Sequence, residues 1–292
     1  MSTNLPSQRI IGILIASIAT IFFAILDTSG KWLVQSFPVI EVVWVRFAVH
    51  MLLAFIWLIF AEGFKKLLIE DGWLHALRST MLCAMTALNF FALQYLQLAQ
   101  TAAILFSAPI IIALISSFLH HEKLTPIKWF AIITGFVGVL VILDPFGYHF
   151  HPAMLLVLAH ATIYALFNFL SKRIAAKSSP LVTQFYSALG PTVVLLPFLF
   201  QSWQSPSFAI EYGVFFCAGL FGFLSHNFIS IAYRYANPST ISPFFYQQMI
   251  WMVLLGWLIF DQVPTWNVYA GTILVIGSGL YLVLHELKQG KK

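Results

Sequence analysis

Runs of apolar residues, separated by short polar segments, recur along the whole chain. Most runs are close to the roughly 20 residues that a helix needs to cross the hydrocarbon core of a bilayer. They are continuously apolar and lack the alternation that marks the strands of an outer-membrane barrel. The pattern therefore predicts an all-α polytopic membrane protein. Its ten predicted transmembrane helices cover residues 10–30, 39–60, 74–95, 101–119, 127–143, 152–172, 180–200, 211–233, 239–260 and 267–285.

The composition supports this fold class. Hydrophobic residues make up 60% of the chain and charged residues only 9%, against about 25% charged residues in a soluble domain. The connections between the predicted helices leave no room for a soluble domain, so we expect one membrane domain in a lipid bilayer. The net charge of +5 is spread over short loops, which argues against nucleic acid as a partner. We expect the first apolar run to be retained as a helix rather than removed as a signal peptide.

The lysines and arginines are distributed unevenly between the two sides of the membrane that the ten helices define. Thirteen of the 15 basic residues fall on the side of the N-terminus, Lys31 falls on the opposite side, and Arg46 lies within the second span. Because cytoplasmic loops are enriched in lysine and arginine, we expect both termini to be cytoplasmic. The thirteen are Arg9, Lys65, Lys66, Arg78, Lys123, Lys128, Lys172, Arg173, Lys177, Arg234, Lys288, Lys291 and Lys292.

The chain also has the pattern of an internal duplication. Residues 19–33 (ATIFFAILDTSGKWL) resemble residues 161–174 (ATIYALFNFLSKRI), and weaker matches keep nearly the same offset through five spans. We therefore predict one five-helix repeat over residues 1–145 and a second over residues 146–292. Because five is odd, the second repeat must insert upside down relative to the first. Inverted repeats of this kind form transporters, with the substrate site near the midplane where the repeats meet.

Six short motifs give the chain a family resemblance. They are D-T-S-G-K-W-L (27–33), the Arg46–Phe47 pair, A-L-x-Y-L-x-L-A (92–99), A-A-I-L-F-S-A-P (102–109), H-E-K-L-T (121–125) and G-F-V-G (135–138). With these motifs the chain resembles the EamA-type, ten-helix members of the drug/metabolite transporter superfamily. The second half departs from the family pattern near Asp261–Gln262, where the usual acidic turn residue is replaced.

The resemblance implies a function as well as a fold. It implies a carrier, not an enzyme, in a bacterial inner membrane that moves a small organic metabolite by alternating access. The segment of helices 1 and 2 is most similar to uptake carriers of vitamins and nucleoside-like metabolites, such as riboflavin or S-adenosylmethionine. We place riboflavin first because aromatic side chains are plentiful and amides near the midplane suit the edge of a flavin ring. The first alternative is an exporter of amino acids or drugs, and a more remote one is a membrane-embedded enzyme or a structural subunit.

Four ionisable residues lie close together in the first two spans and the segment that joins them: Asp27, Lys31, Glu41 and Arg46. Charges inside a bilayer usually face a bundle interior, a partner or an aqueous path. Two explanations remain open. An ion pair locks helices 1 and 2 together while Lys31 extends outward to the membrane surface. Alternatively, Asp27 and Arg46 line the substrate cavity, where Arg46 holds an anionic group and Asp27 responds to protons.

Other polar and aromatic residues within the spans complete the candidate substrate site. Amides within a membrane need hydrogen-bond partners, so bonds between helices explain them as well as ligand binding does. Aromatic rings are mostly packing residues or interfacial anchors, and a few facing a cavity would stack on a ring-bearing substrate. The repeat alignment pairs Asp27 with Asn168 and Asn89 with Asn227. The candidates besides Asp27 and Arg46 are Trp44, Asn89, Tyr95, Tyr164, Asn168, His226, Asn227, Gln247 and Trp251.

Pro109 and Pro191, near the centres of spans 4 and 7, are candidate gating positions, because a proline in a helix leaves a backbone carbonyl unpaired. We find no metal-site spacing, no phosphate-binding loop and no clustered catalytic residues, and we expect no cofactor. Without ATP hydrolysis of its own, transport must draw on an ion gradient, such as that of protons, on exchange or on the substrate gradient. The oligomeric state is left open between a monomer and a homodimer.

Overall fold

The computed structural model describes residues 6–67, 69, 71–108, 110–112, 114–115, 126–145, 147, 150–175, 177–236 and 241–289. Within these residues the chain forms ten α-helices, two short 3-10 helices and no β-strand. The α-helices are α1 (Pro6–Leu33), α2 (Val39–Ala61), α3 (Gly72–Leu93), α4 (Leu98–Leu105), α5 (Pro126–Leu143), α6 (Ala153–Ala175), α7 (Pro180–Ser202), α8 (Ala209–Tyr235), α9 (Gln248–Phe260) and α10 (Trp266–Gln289). The 3-10 helices are Phe64–Leu67 and Ser242–Gln247.

The prediction of an all-α membrane protein is confirmed in the described residues, and each predicted span overlaps one of these helices. Among the described residues, six helices are long and apolar enough to cross a membrane: α1, α2, α3, α6, α7 and α8. Two spans differ from the prediction. Helix α4 gives way to a turn at Phe106–Ser107, and the ninth span begins as the 3-10 helix Ser242–Gln247 before it becomes α9. A proline suits the first turn of a helix, and Pro243 occupies that place in the 3-10 helix.

Side chains fix the starts of two helices in the second half of the chain. Ser179 precedes α7, and its hydroxyl accepts a hydrogen bond from the backbone N–H of Val182 at 3.3 Å. Pro180 follows at the first helical position, where its missing N–H costs nothing. In the first turn of α8, the Glu211 carboxylate accepts from the backbone N–H groups of Ser207 and Phe208. An acidic residue there also complements the helix dipole.

Helices from the two halves of the sequence alternate in the packing. The largest contacts join α1 to α8, α3 to α6, α2 to α7 and α5 to α10, and α4 packs against α9. Each pair takes one helix from before residue 145 and one from after it. The two halves therefore share one continuous core instead of forming separate bundles.

Helices α5 and α10 approach each other closely through glycines. A Cβ atom placed at Gly271 would lie 2.6 Å from the carbonyl oxygen of Gly138, and one at Gly138 would lie 2.9 Å from the carbonyl oxygen of Gly271. Small residues allow backbones in membranes to pack in this way. The sequence predicts close packing of spans 5 and 10 through their glycines. This is confirmed at Gly138 and Gly271 and wrong at Gly277, which has no heavy atom within 4 Å of such a Cβ.

Candidate functional site

A buried carboxylate on α1 links helices from both halves of the chain. Asn89 of α3 donates from Nδ2 to Oδ1 of Asp27 at 2.9 Å, and Gln248 of α9 donates from Nε2 to Oδ2 at 3.5 Å. The three side chains are all buried. The sequence identifies Asp27 and Asn89 as site residues, and the structure brings them into direct contact. Gln248, rather than its predicted neighbour Gln247, completes the cluster.

Lys31 does not extend to the membrane surface, and the expectation that it does is wrong. Its side chain is 2% exposed. Its ammonium group donates to the carbonyl oxygens of Leu93 at 3.0 Å and Leu96 at 2.6 Å. Because the last carbonyls of a helix lack partners within it, the end of α3 provides acceptors for this cation. Lys31 therefore links α1 to the end of α3.

Arg46 of α2 is buried without forming an ion pair. The guanidinium lies over the ring of Phe47, with Cζ 4.3 Å from the ring centroid, and Nε and Nη1 have no hydrogen-bond partner. The hydrogen bonds to Asp27 come from Asn89 and Gln248, so the predicted ion pair locking helices 1 and 2 does not form. The Asp27 carboxylate is still near enough for its charge to act on the guanidinium. On the opposite side the guanidinium faces α8, where a Cβ atom at Gly222 would lie 3.3 Å from Nε.

Two histidines extend the polar surface beside Arg46. His50 lies one helical turn after Arg46 on the same face of α2, and it is completely buried. Both of its ring nitrogens lack hydrogen-bond partners. The ring stacks on that of His226 of α8, with centroids 6.3 Å apart, and Gln184 of α7 lies close to it. His226 is among the site residues predicted from the sequence, and His50 is not, although its four-residue spacing from Arg46 indicates it.

Arg78 forms a second buried guanidinium, between α3, α6 and α7. It is 5% exposed, although the topology count places it with the loop residues. Its Nε donates to the Ser171 hydroxyl at 3.1 Å, Nη1 donates to the Ser187 hydroxyl, and Cζ lies 4.4 Å from the ring centroid of Phe167. Arg78 lies four residues inside the predicted third span, and that position is the signal in the sequence that indicates its burial.

A row of contacts continues from Arg78 toward the start of α3. His75 Nε2 is 3.0 Å from the Ser178 hydroxyl, and Lys177 forms an ion pair with Asp71 at 2.5 Å. The contacts join the start of α3 to the end of α6 and the start of α7. We call Asp71, His75, Arg78, Ser171, Lys177, Ser178 and Ser187 the α3–α7 latch.

Most of the other predicted site residues contact residues other than Asp27. Trp44 donates from Nε1 to the carbonyl oxygen of Thr192 at 2.8 Å and packs edge-on against Trp203. Tyr95 lies in the turn after α3, is 64% exposed and stacks on His151. Asn168 donates to the carbonyl oxygen of Tyr164 on its own helix, α6, at 2.7 Å.

The remaining candidates lie on the later helices. Asn227 is buried on α8. Gln247 ends the second 3-10 helix, and Trp251 lies one turn into α9 with its Nε1 buried and without a partner. The three elements that carry these residues, α8, the second 3-10 helix and α9, each contact α1.

Pro191 lies inside α7, and the helix continues through it. The carbonyl that it leaves unpaired, that of Ser187, accepts a hydrogen bond from the Ser79 hydroxyl of α3 at 3.0 Å. Gly190 makes this approach possible, because a Cβ atom there would lie 2.2 Å from the same hydroxyl. Pro191 thus couples α7 to α3. Pro109, the other predicted gating residue, lies outside the described residues.

Comparisons with known proteins place this geometry in a family. The model of the EamA-like transporter family matches the chain twice, over residues 10–144 and 151–284. An S-adenosylmethionine uptake transporter of Rickettsia felis is 25% identical over 90% of this chain and 88% of its own length. A riboflavin transporter of Vibrio cholerae is 28% identical over 76% and 75%. A pseudopaline exporter of Pseudomonas aeruginosa is 22% identical over 96% and 97%.

A solved crystal structure shares the fold, with a TM-score of 0.66 over 97% of this chain and 98% of that one at 18% sequence identity. The two family matches together span nearly the whole chain. The resemblance found in the sequence motifs is therefore confirmed, and with it the assignment to the drug/metabolite transporters. This chain is a membrane transporter that belongs to the EamA-like transporter family.

Proposed function

We propose that the protein is a secondary transporter that moves a small organic metabolite across a bacterial inner membrane by alternating access. The observation that carries the proposal is the buried polar cluster of Asp27, Asn89 and Gln248, with Arg46 on the next helix. Buried polar groups inside a membrane bundle mark substrate and ion pathways. Asp27 is the group we assign to proton coupling.

The packing supports two inverted five-helix repeats, residues 1–145 and 146–292. If each helix of the first repeat corresponds to the one five places later, the α1–α8 contact corresponds to the α3–α6 contact. The α2–α7, α4–α9 and α5–α10 contacts then each correspond to themselves. A twofold axis between the repeats produces this pattern. Two matches of one family model to the two halves agree with it.

The same arrangement favours cytoplasmic termini. Arg9, Arg173 and Arg234 lie near the ends of α1, α6 and α8 that this orientation directs to the cytoplasm, and Arg173 and Arg234 are exposed. Lys31 and Arg78 are buried, so they do not count as loop charges that indicate the orientation. The exposed basic residues still favour the N-terminal side, as the positive-inside rule requires.

The substrate that we propose is a vitamin or a nucleoside-like metabolite, and the relatives suggest riboflavin and S-adenosylmethionine as the compounds to test first. Purified protein in proteoliposomes is offered each labelled compound, with and without an imposed pH gradient. We expect uptake that empty liposomes lack. A folded, monodisperse protein that moves neither compound, nor amino acids nor drugs in either direction, would contradict the proposal. Movement only out of cells would favour the exporter, a function that the pseudopaline relative also performs.

The α3–α7 latch is the element that we assign to closing one side of the transporter. Its contacts join residues of the first repeat to residues of the second at one end of the bundle. The Asp71–Lys177 pair is exposed, and such pairs contribute about 0–1 kcal/mol. The buried Arg78 contacts contribute more, because hydrogen bonds to charged groups are worth about 1.5–3 kcal/mol.

Arg78→Gln is therefore expected to open this end of the bundle. Ser178→Cys, in a chain whose two native cysteines are replaced by serine, reports the opening through its rate of reaction with a maleimide. We expect Arg78→Gln to raise this rate by about tenfold, the effect of losing roughly 1.4 kcal/mol from the closed form. Arg173→Gln, the same change at an exposed position of α6, is the matched control. An unchanged rate in a folded Arg78→Gln protein would remove Arg78 from the latch.

A further inference from the structure

The ionisable side chains buried in the described part of the chain have an excess of positive charge. Three cations are buried, Lys31, Arg46 and Arg78, against two carboxylates, Asp27 and Glu41. With the histidines neutral, this leaves one positive charge in the interior. Buried charges are stable in proteins only when they are paired or well hydrogen-bonded.

The three cations differ in the groups that stabilise their positive charge. Lys31 donates to two backbone carbonyls, and Arg78 donates to two serine hydroxyls and lies on an aromatic ring. Arg46 has the ring of Phe47 beneath it, but its Nε and Nη1 are buried without an acceptor. The Asp27 carboxylate acts on Arg46 through its charge alone, so Arg46 is the buried cation whose donors lack an acceptor.

One neighbour of Arg46, His50, offers a further ring N–H donor. His50, on the same face of α2, is completely buried with both ring nitrogens unpartnered. His226 stacks on His50, and Gln184 lies close to it. Gly222 brings only backbone to the guanidinium, so no side chain of α8 fills the space at that point. Unpartnered N–H groups gathered around one guanidinium form a site for an acceptor that carries negative charge.

We infer that Arg46, together with His50, binds a carboxylate of the transported metabolite. The inference rests on the proposed transport function and specifies its substrate class. The carboxylate carries one negative charge and two acceptor oxygens, which match the charge and the unpartnered donors of the Arg46 guanidinium. A phosphate monoester carries nearly two negative charges and would leave the site negative. A neutral flavin offers nothing to balance Arg46, so this site favours an amino-acid-like metabolite over riboflavin.

S-adenosylmethionine and decarboxylated S-adenosylmethionine are matched probes, because they share the adenosyl group and the sulfonium and differ in the carboxylate. In proteoliposomes we expect the wild type to take up the first at least about tenfold faster than the second, the effect of one charge-assisted contact. Arg46→Gln lowers uptake of S-adenosylmethionine to the rate of its analogue and leaves the analogue unchanged. Arg234→Gln, at an exposed position of α8, changes neither rate.

Equal uptake of the two probes by the wild type would overturn the inference, and so would an equal loss of both in Arg46→Gln, which indicates a structural role. If riboflavin is moved and S-adenosylmethionine is not, the carboxylate site is wrong while the transport function stands. If nothing is moved, the thermal unfolding midpoint in detergent decides. A rise with S-adenosylmethionine in the wild type but not in Arg46→Gln supports the carboxylate site without transport, and no rise overturns both.

Discussion

Asp27→Asn lowers metabolite transport in proteoliposomes by about tenfold to a hundredfold, the effect of losing one charged hydrogen-bonding interaction of roughly 1.5–3 kcal/mol. The protein is expected to stay folded, because the substitution keeps the size of the side chain. Asn89 and Gln248 donate to different oxygens of Asp27, and the single side-chain oxygen of an asparagine can keep the shorter bond, that from Asn89. The negative charge, the ability to take up a proton and the weaker acceptor contact with Gln248 are lost. If Asp27 couples transport to protons, the remaining uptake no longer responds to an imposed pH gradient.

Asp144→Asn is the matched control for this experiment. Asp144 also accepts a hydrogen bond from an asparagine amide, that of Asn267 at 3.1 Å, but it follows the end of α5, away from the cluster. We expect its transport rate and pH response to match the wild type. Comparable losses in both variants, or an intact pH response in Asp27→Asn, would exclude Asp27 from coupling.

The helices could be predicted from the sequence because the bilayer imposes one requirement on every span. Each span must satisfy its backbone polar groups within itself and present apolar side chains to lipid, and a long apolar run does both. The start of the ninth span was less predictable. The run of apolar residues continues through Pro243, whereas the backbone there forms a 3-10 helix, and composition does not distinguish the two.

The charged residues were harder to place, because their surroundings depend on packing. Lys31 lies near the end of α1, where a long side chain commonly reaches the membrane surface. The end of α3 instead presents two carbonyls to it. Nothing in the sequence around Lys31 predicts that α3 ends beside it. Arg78 lies near the start of a span, where a count of loop charges includes it. Its hydroxyl partners come from about 90 and 110 residues farther along the chain, a separation that no local pattern spans.

The asparagines illustrate the same limit within the candidate site. The repeat alignment places Asn168 in correspondence with Asp27, and it predicts a shared cavity for Asn89, Asn168 and Asn227. Asn89 does bind Asp27, but Asn168 donates to its own helix. Correspondence between repeats identifies polar positions at equal depth. Which of them touch is decided by the rotation of each helix, and that depends on packing with its neighbours.

Gly271→Val is the substitution with the largest expected effect on folding. At Gly271 a Cβ atom alone would lie 2.5 Å from Cγ1 of Ile142 and 2.6 Å from the carbonyl oxygen of Gly138. The carbonyl belongs to the backbone of α5 and cannot rotate away, so α5 and α10 must separate along their contact. Overpacking of a close interface costs about 1–3 kcal/mol, and more where the backbone must shift. We therefore expect a thermal unfolding midpoint in detergent that is lower by several degrees, together with a reduced yield of monodisperse protein.

Gly277→Val separates this effect from the cost of placing a β-branched residue in a helix. Gly277 lies on the same helix, is exposed, and has no heavy atom within 4 Å of an added Cβ. Both variants carry the same intrinsic change in helix propensity, a few tenths of a kcal/mol, so the difference between their midpoints measures the α5–α10 contact. We expect Gly277→Val to unfold close to the wild type. Equal midpoints for the two variants would mean that the backbones of α5 and α10 do not meet at Gly138 and Gly271. They would also remove the reason for assigning these two helices a packing role.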